Sequence, residues 1–333
     1  MKILITGGAG FIGSNFCSYM LEKYHGYKIT VLDLMTYASN PDTVKKFSKN
    51  KNFSFIKGDI RNKKTVDDAV KGKDAVINFA AETHVDRSIL DPSVFTETNI
   101  KGAENIFLAC MKHKVKRVIQ ISTDEVYGSI KKGRSKEGDM IDPTSPYSSS
   151  KAAADLIALS YFKTFKLPVI ITRSSNNFGP YQHPEKFVPL FITNAIEDKE
   201  LPLYGDGKNV RNWIYVEDNC SGLDRVLHSG IPGEVYNIGG EVETSNIEVA
   251  SVIVKALEKP ESIIKFVKDR PAHDRRYALD SSKLKKLGWK CARPFPEALK
   301  LTLMWYSNNT SWWKKLKNKE FGAYYKKNYK GKK

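Results

Sequence analysis

The 333-residue chain reads as an α/β fold, a doubly wound parallel sheet joined to a smaller, interleaved second domain. Three observations predict it. Short apolar runs of strand character alternate with helical patterns through the first half, and a glycine-rich turn follows the first run. Beyond about residue 176 the alternation loosens into a stretch rich in prolines (Pro180, Pro184, Pro189, Pro202) and aromatics. A chain of this length can bury about three quarters of its unfolded surface, enough for one large domain with a smaller companion.

The first run, Lys2-Ile3-Leu4-Ile5-Thr6, has the pattern of a buried strand. Gly7-Gly8-Ala9-Gly10-Phe11-Ile12-Gly13-Ser14 then breaks it with three glycines at a spacing of three and opens a helix expected over 16–22. Such a turn brings backbone close to a pyrophosphate, the helix N-terminus holds the negative charge, and Gly13 lets helix and strand pack closely. Glycine-rich strand-to-helix turns also arise for geometric reasons alone. Asp33 changes that balance, because it stands twenty residues after Gly13 at the end of a second apolar run, Ile29-Thr30-Val31-Leu32. A carboxylate there accepts both adenosine ribose hydroxyls and repels a 2′-phosphate, so the pair indicates a Rossmann-type cradle for NAD rather than NADP.

Further units continue the winding. Residues 53–56 lead to Gly58-Asp59-Ile60, and 75–79 lead to Ala80-Ala81; both read as parallel strands with functional tips, Asp59 lying near the adenine. A helix is expected over 64–70, another around 95–112, a strand at 117–122, a helix over about 147–165 and a strand at 169–173. The helix near 216–227 and the strand at 235–238 return to the first domain. The predicted division is therefore 1–175 with 211–239 as the NAD-binding domain, and 176–210 with 240–333 as the substrate-binding domain.

Residues 152–162 are apolar nearly all the way round, more than one sheet face can cover, so a second stripe is expected to meet a partner subunit in a homodimer. Burial beneath the second domain is the competing explanation.

Composition narrows the function classes. The strand beginning at Lys2 leaves no room for a signal peptide, and no apolar run approaches the roughly eighteen residues of a membrane span, so a soluble cytoplasmic protein is expected. Cys17, Cys110, Cys220 and Cys291 are scattered without metal-ligand spacing, which fits free thiols in a reducing compartment, and the six histidines form no ligand pair. No metal site is expected. The net charge of +17 raises nucleic-acid binding, but residues 314–333 carry nine lysines against the single acid Glu320, a solvated basic end rather than a nucleic-acid groove.

The chemistry gathers where the strand at 117–122 runs into Ser122-Thr123-Asp124-Glu125-Val126-Tyr127-Gly128, two adjacent carboxylates beside the expected nicotinamide. Downstream, Tyr147-Ser148-Ser149-Ser150-Lys151 sets tyrosine and lysine four apart on one helix face. The ammonium, with oxidised nicotinamide, can lower the phenol pKa so that a tyrosinate removes a hydroxyl proton. A Tyr-x-x-x-Lys pair arises by chance in any helix; here it follows a cofactor cradle and a strand-end threonine.

With these motifs the sequence resembles the extended short-chain dehydrogenase/reductases, and within them the dTDP-glucose 4,6-dehydratases, over nearly the whole chain. The match is carried by Thr123-Asp124-Glu125, Tyr147 to Lys151, Arg173-Ser174-Ser175-Asn176-Asn177-Phe178-Gly179-Pro180-Tyr181-Gln182, and Pro184-Glu185-Lys186. Tyr204-Gly205-Asp206-Gly207-Lys208-Asn209-Val210-Arg211, Asp269-Arg270-Pro271-Ala272-His273-Asp274-Arg275-Arg276-Tyr277, Trp305-Tyr306 and Trp312-Trp313 extend it.

The resemblance implies that Tyr147 is the base for the sugar 4-hydroxyl, that Lys151 tunes it and binds the nicotinamide ribose, and that Thr123 hydrogen-bonds the sugar. Glu125 then removes the C5 proton made acidic by oxidation at C4, Asp124 protonates the departing C6 hydroxyl, and hydride returns to C6. The implied product is a nucleotide-linked 4-keto-6-deoxyglucose, a precursor type for deoxysugars such as rhamnose.

Implied NAD contacts are Gly7, Gly10, Phe11, Ile12, Gly13, Asp33, Asp59, Ile60, Ala80, Ala81, Thr98, Tyr147, Lys151 and Asn177. Implied contacts to a nucleotide-diphosphate hexose are His84, Thr123, Asn176, Lys186, Phe187, Pro202, Tyr204, Arg211, Asn246, Arg270 and His273. Arg211 and Arg270 suit bidentate binding of a diphosphate, although each could be half of a structural ion pair. Ala272 departs from the family's usual glycine.

A nucleotide-sugar 4-epimerase would share the cradle, Tyr147 and Lys151, but needs no acid/base pair for C5 and C6. A UDP-glucose 4,6-dehydratase would share everything but the base, and a non-catalytic NAD- or nucleic-acid-binding protein would need none of Thr123, Asp124, Glu125, Tyr147 and Lys151.

Overall fold

The computed structural model describes residues 1–330. Lys332 and Lys333 of the basic end lie outside the described residues. The strands, in order, are β1 (Lys2–Thr6), β2 (Lys28–Asp33), β3 (Phe53–Lys57), β4 (Ala75–Asn78), β5 (Arg117–Thr123), β6 (Val169–Ser174), β7 (Asn176–Phe178), β8 (Leu201–Tyr204), β9 (Val210–Tyr215), β10 (Val235–Ile238), β11 (Glu243–Ser245) and β12 (Ile264–Val267). Seven of them form one sheet in the order β10-β6-β5-β4-β1-β2-β3. Every pairing in it is parallel. Because β1 has β2 on one side and β4 on the other, the connections leave it in opposite directions and open a crevice beyond the strands' carboxyl ends.

Alternation along β1 explains how one strand serves two layers. Ile3 and Ile5 enter the core beneath the Phe11–Lys23 and Val216–Ser229 helices, with Phe16, Met20 and Tyr236. Leu4 points to the other face and meets Val76, Phe107, Ala154 and Ala158, under the Lys63–Val70, Ala103–Lys112 and Pro146–Phe165 helices.

Two helices differ from their sequence-based outlines. The first begins at Phe11, earlier than expected, because extended Gly10 caps it through its backbone with no side-chain hydrogen bond. The helix expected around 95–112 is instead a short turn at Ser93–Phe95, a π-helical stretch at Thr96–Gly102 and an α-helix at Ala103–Lys112. Gly102 packs so tightly there that a Cβ would stand 2.5 Å from Ile60 Cδ1. Buried Asn99 turns inward and makes hydrogen bonds that an ordinary outer helix position would not.

A second core lies around β8 and β9, where the helices Phe187–Ile196, Asn246–Ala256, Phe295–Asn308 and Thr310–Leu316 pack Phe178, Phe191, Tyr306 and Trp313. The Trp313 indole donates to Tyr306 O at 2.8 Å, so its one polar atom is satisfied inside that core.

The Pro146–Phe165 helix does carry an apolar excess. Its inner stripe, including fully buried Ala154 and Ala158, is spent on the sheet, while Leu156 and Phe165 stay 57% and 55% exposed and Leu108 on the neighbouring helix 41%. Charge at Ala158 would therefore break the core rather than an intersubunit contact.

The basic end keeps Lys314, Lys315, Lys319, Lys326 and Lys327 exposed but is not a free tail. Helical segments at Lys319–Tyr325 and Lys326–Lys330 fold back onto the body. Phe321, Tyr325 and Tyr329 pack against the second core, Tyr324 is buried, and Lys317 Nζ meets Glu197 at 2.7 Å. Aromatics three and four residues apart build one apolar face, and most of the lysines take the other. Among the described residues no helix is long and apolar enough to cross a membrane.

The second core yields a stability test. Trp313→Ala should cost about 3–5 kcal/mol in denaturant unfolding, by lost burial and the cavity left behind, and Trp313→Phe markedly less. A loss below about 1 kcal/mol for the alanine variant would show that this core does not depend on the indole.

Candidate active site

A cleft of about 330 Å³ opens over the carboxyl end of the sheet and runs from the glycine turn to the end of β5. At one end the glycines are obligatory. Gly7 has φ +69, and a Cβ on it would stand 2.6 Å from Ala80 N; one on Gly13 would stand 2.4 Å from Gly7 O. Neither neighbour can give way, because both are backbone. The turn thus keeps its amides and the open N-terminus of the Phe11–Lys23 helix facing the cleft, an arrangement that suits a pyrophosphate.

Asp33, at the tip of β2, is buried and held at both oxygens. Oδ2 accepts from Ala9 N at 2.9 Å, and Oδ1 from Met35 N at 2.8 Å and Ser39 Oγ at 2.9 Å. One carboxylate therefore fixes the glycine turn and the following loop together. Beyond β3, Asp59 takes Arg61 N and Nε, each at 2.8 Å, so this tip is an ion pair rather than a free acid. These features fit the pyrophosphate and ribose of a dinucleotide.

At the other end, β5 delivers Thr123 and a tight turn, Asp124–Tyr127, presents the carboxylates. The turn ends at Gly128, φ +70, where a Cβ would stand 2.3 Å from Asp142 O. The next helix starts on a capping box: Ser145 Oγ accepts from Ser148 N at 3.1 Å, Ser148 Oγ accepts from Ser145 N at 3.0 Å, and Pro146 opens the first turn. That start places Tyr147 and Lys151 over the end of β5, and Lys151 Nζ donates to Ile121 O at 2.5 Å.

Burial dominates the charges here. Asp124 has one oxygen 3.2 Å from Thr123 Oγ1 and the other without any protein partner. Its pKa is pushed up to about 8, by desolvation first and then by Glu125, which favours the protonated acid. Glu125 is raised for the same first reason, with Arg270, Arg211 and Lys186 pulling the other way. Lys151 is lowered to about 8 by burial, opposed by Asp155.

Tyr147 differs from expectation. In the protein alone its phenol is raised, by burial and then by Glu125, and the Thr123 hydroxyl opposes the rise. The Lys151 ammonium is turned to the Ile121 carbonyl, so the protein by itself does not lower this phenol.

The structure brings the residues into two groups. Gly7, Gly10, Phe11, Ile12, Gly13, Asp33, Asp59, Ile60, Ala80, Ala81, Thr98, Thr123, Asp124, Glu125, Tyr147, Lys151, Asn176, Asn177 and Lys186 line the cleft. His84, Phe187, Pro202, Tyr204, Arg211, Asn246, Arg270 and His273 stand outside its lining. Tyr204 OH donates to Asp86 Oδ2 at 3.1 Å, and Arg270 lies 3.6 Å from Asp86 Oδ1. Arg211 spends its guanidinium on Val210 O at 2.8 Å and Asp274 O at 3.0 Å, stacked 4.5 Å from the Tyr277 ring. Phe187 packs on Phe191 and Trp213 in the second core. Ala272 sits at φ +51, the region where glycine is at ease, which explains why glycine is the commoner choice there.

Other residues gave no signal in the sequence. Asn99 accepts from Glu82 N at 2.8 Å and donates to Glu82 O at 3.0 Å and Ser150 Oγ at 2.8 Å, tying the loop after β4 to the helix that carries Tyr147. Only the fold brings its partners near.

The family model described as GDP-mannose 4,6 dehydratase matches residues 4–302, ending within the Phe295–Asn308 helix. A solved DesIV, a dTDP-glucose 4,6-dehydratase of Streptomyces venezuelae with NAD bound, is 44% identical with a TM-score of 0.93, covering 95% of this chain and 100% of its own. The chain belongs to the dTDP-glucose 4,6-dehydratase family of extended short-chain dehydrogenase/reductases.

Other family members agree. The Bacillus anthracis dTDP-glucose 4,6-dehydratase structure in complex with NAD is 49% identical, with a TM-score of 0.89, and covers 95% of this chain and 99% of its own. A low-salt glycan biosynthesis protein of Haloferax volcanii, Agl12, is also 49% identical, over 92% of this chain and 98% of its own length.

The protonation of Asp124 is directly observable. In infrared spectra a protonated-carboxyl band should fade as pH rises through about 8 and be missing in Asp124→Asn. A wild-type band that titrates in the ordinary carboxylate range would overturn the assignment.

Proposed function

We infer that this chain is an NAD-dependent dTDP-glucose 4,6-dehydratase that makes the 4-keto-6-deoxy sugar nucleotide. The observation that carries the reading is the adjacent pair at the end of β5, Asp124 buried with one oxygen unpartnered and Glu125 beside it, in the cleft that Tyr147 and Lys151 also line. An epimerase has no use for that pair. The glycine turn, Asp33, Asp59, Ile60, Ala80, Ala81, Thr98 and Asn177 would hold NAD, with Asp33 disfavouring a 2′-phosphate. When bound, NAD supplies an acceptor for the C4 hydrogen and its return to C6.

The chain's own residues handle the protons. Tyr147 takes the proton of the 4-hydroxyl, and Lys151 holds the nicotinamide ribose and steadies the phenolate. Once C4 is a ketone, Glu125 removes the C5 proton, Asp124 gives its proton to the C6 oxygen, and water leaves. Glu125 returns its proton to C5 as C6 is reduced. The proton taken at O4 balances the one given by Asp124, so the cycle closes on loss of one water. Lys186, Arg211 and Arg270 are cationic and suit the diphosphate, while Thr123, His84, Asn176, Phe187, Pro202, Tyr204, Asn246 and His273 complete the sugar-nucleotide side.

Residues 1–175 with 211–239 are accordingly assigned to the cofactor, and 176–210 with 240–333 to the substrate. The four cysteines, free in the structure, suit a cytoplasmic enzyme. The exposed apolar face of Leu108, Leu156 and Phe165 suits a homodimer.

Two measurements check these readings. Glu125→Gln and Asp124→Asn should each cut turnover of dTDP-glucose by about 10²–10⁴-fold yet still build up the near-ultraviolet absorbance of reduced nicotinamide, and Tyr147→Phe should build up none. Glu125→Gln should also lose C5 proton exchange, which Asp124→Asn retains. Normal turnover in both amide variants, or failure of deuterium at C4 to reach C6, sinks the dehydratase reading in favour of the epimerase. For the dimer, Leu156→Glu should shift sedimentation to the monomer, whereas a monomeric wild type at micromolar concentration removes the proposal.

A further inference from the structure

The loop after β2 meets the cleft with only some of its residues. Thr36, Ala38 and Ser39 line it, whereas Tyr37 between them lines a second cavity of about 300 Å³, which it shares with Glu82, Arg87 and Tyr324. Asp33 fixes this loop from inside, through Met35 N and Ser39 Oγ. Outside, the Tyr37 ring lies 3.7 Å from the Arg87 guanidinium and meets the His183 imidazole edge-on at 5.6 Å.

Arg87 sits on the Val85–Leu90 helix and is shared among three other parts of the chain. Its Nε and one terminal nitrogen reach Glu185 Oε2 at 3.2 and 3.1 Å, the other terminal nitrogen reaches Glu320 Oε1 at 3.4 Å, and the Tyr324 ring lies 4.9 Å away. A guanidinium serves rings and carboxylates at once because its flat face stacks while its edge donates. Glu185 lines the cleft with His183 and Lys186, so this one cation joins the loop after β2 to a wall of the cleft and to the C-terminal helix. Glu82 and Val94 line both spaces, so the second cavity borders the cleft and leaves room beside the Tyr37 ring.

We propose that the Tyr37–Arg87 stack is a staple on the cofactor's side of the cleft: the two are positioning residues that hold the loop carrying Thr36, Ala38 and Ser39 against the 182–186 segment and thereby set how fast NAD leaves. Neither side chain lines the cleft itself, so both act through the loop and through Glu185. The proposal rests on the dehydratase reading for its use, since a cofactor regenerated in every cycle has no need to exchange. An ion pair that only supported the fold would involve Arg87 and Glu185 and leave Tyr37 without consequence.

Tyr37→Leu removes the ring and leaves the Arg87–Glu185 pair in place. Radiolabelled NAD bound to this variant and chased with unlabelled NAD should leave at least about five-fold faster than from wild type, whereas Tyr37→Phe, which keeps the ring, should stay below that. Arg87→Lys keeps a charge for Glu185 without the flat face and should also release NAD at least about five-fold faster. A smaller acceleration in Tyr37→Leu overturns the proposal. Equal acceleration in Tyr37→Phe and Tyr37→Leu does so too, by assigning the effect to the hydroxyl, as does a wild-type rate in Arg87→Lys, by making charge alone sufficient. A cofactor-free Tyr37→Leu protein that melts well below cofactor-free wild type also overturns it, because the role is then structural.

Because release is followed without substrate, the two readings fail separately. A wild type that binds NAD but does not convert dTDP-glucose removes the dehydratase reading alone, and the staple is still judged by the release rates. A wild type from which NAD escapes within the mixing time removes the staple whatever its turnover.

Discussion

Desolvation of two neighbouring carboxylates at the end of β5 is the constraint on which the rest of the site depends. Asp124 and Glu125 are both raised by burial, and Asp124 keeps one oxygen with no protein partner. Such a pair is tolerable because burial favours the protonated form and Arg270, Arg211 and Lys186 oppose the rise at Glu125. The parallel sheet puts the turn at its carboxyl edge, the capping box sets Tyr147 and Lys151 above it, and Arg211, Arg270 and Lys186 close the far side. Chemistry that needs one acid and one base from adjacent residues thereby follows from unequal environments.

The opposite end of the cleft works by geometry more than by charge. Gly7 and Gly13 are fixed by backbone approaches that leave no space for a Cβ. Asp33 binds the same turn through Ala9 N and the next loop through Ser39, so a single buried carboxylate shapes the cradle before any ribose arrives. Asn99 ties the two ends together, joining the backbone of Glu82 to Ser150 one residue before Lys151. The π-helical stretch that turns Asn99 inward gives up regular hydrogen bonding to make that link.

The second core packs aromatic side chains around β8 and β9. Its aromatic packing continues into the C-terminal helices, where Tyr329 lies 5.3 Å from Tyr204 and Tyr324 reaches His84 and Asp86. A lysine-rich end thus contributes aromatic contacts inside the molecule while most of its charge stays outside.

The sequence alone determined the features whose physics is local. The glycine spacing, Asp33 after the second strand, the adjacent Asp124 and Glu125, and Tyr147 four residues before Lys151 are short-range patterns, and the alternation of strands and helices fixes the doubly wound class. Tertiary structure alone decided which atoms those residues meet. Lys151 turned to the Ile121 carbonyl, Tyr147 raised rather than lowered, Ala158 spent on the core with Leu156 left outside, and Tyr324 on His84 all depend on partners distant in the sequence or on burial from several elements. Periodicity and spacing record which side of a helix or strand is apolar; they carry no record of desolvation or of which distant acceptor a buried donor finds, because both arise only when separate elements close around the same space.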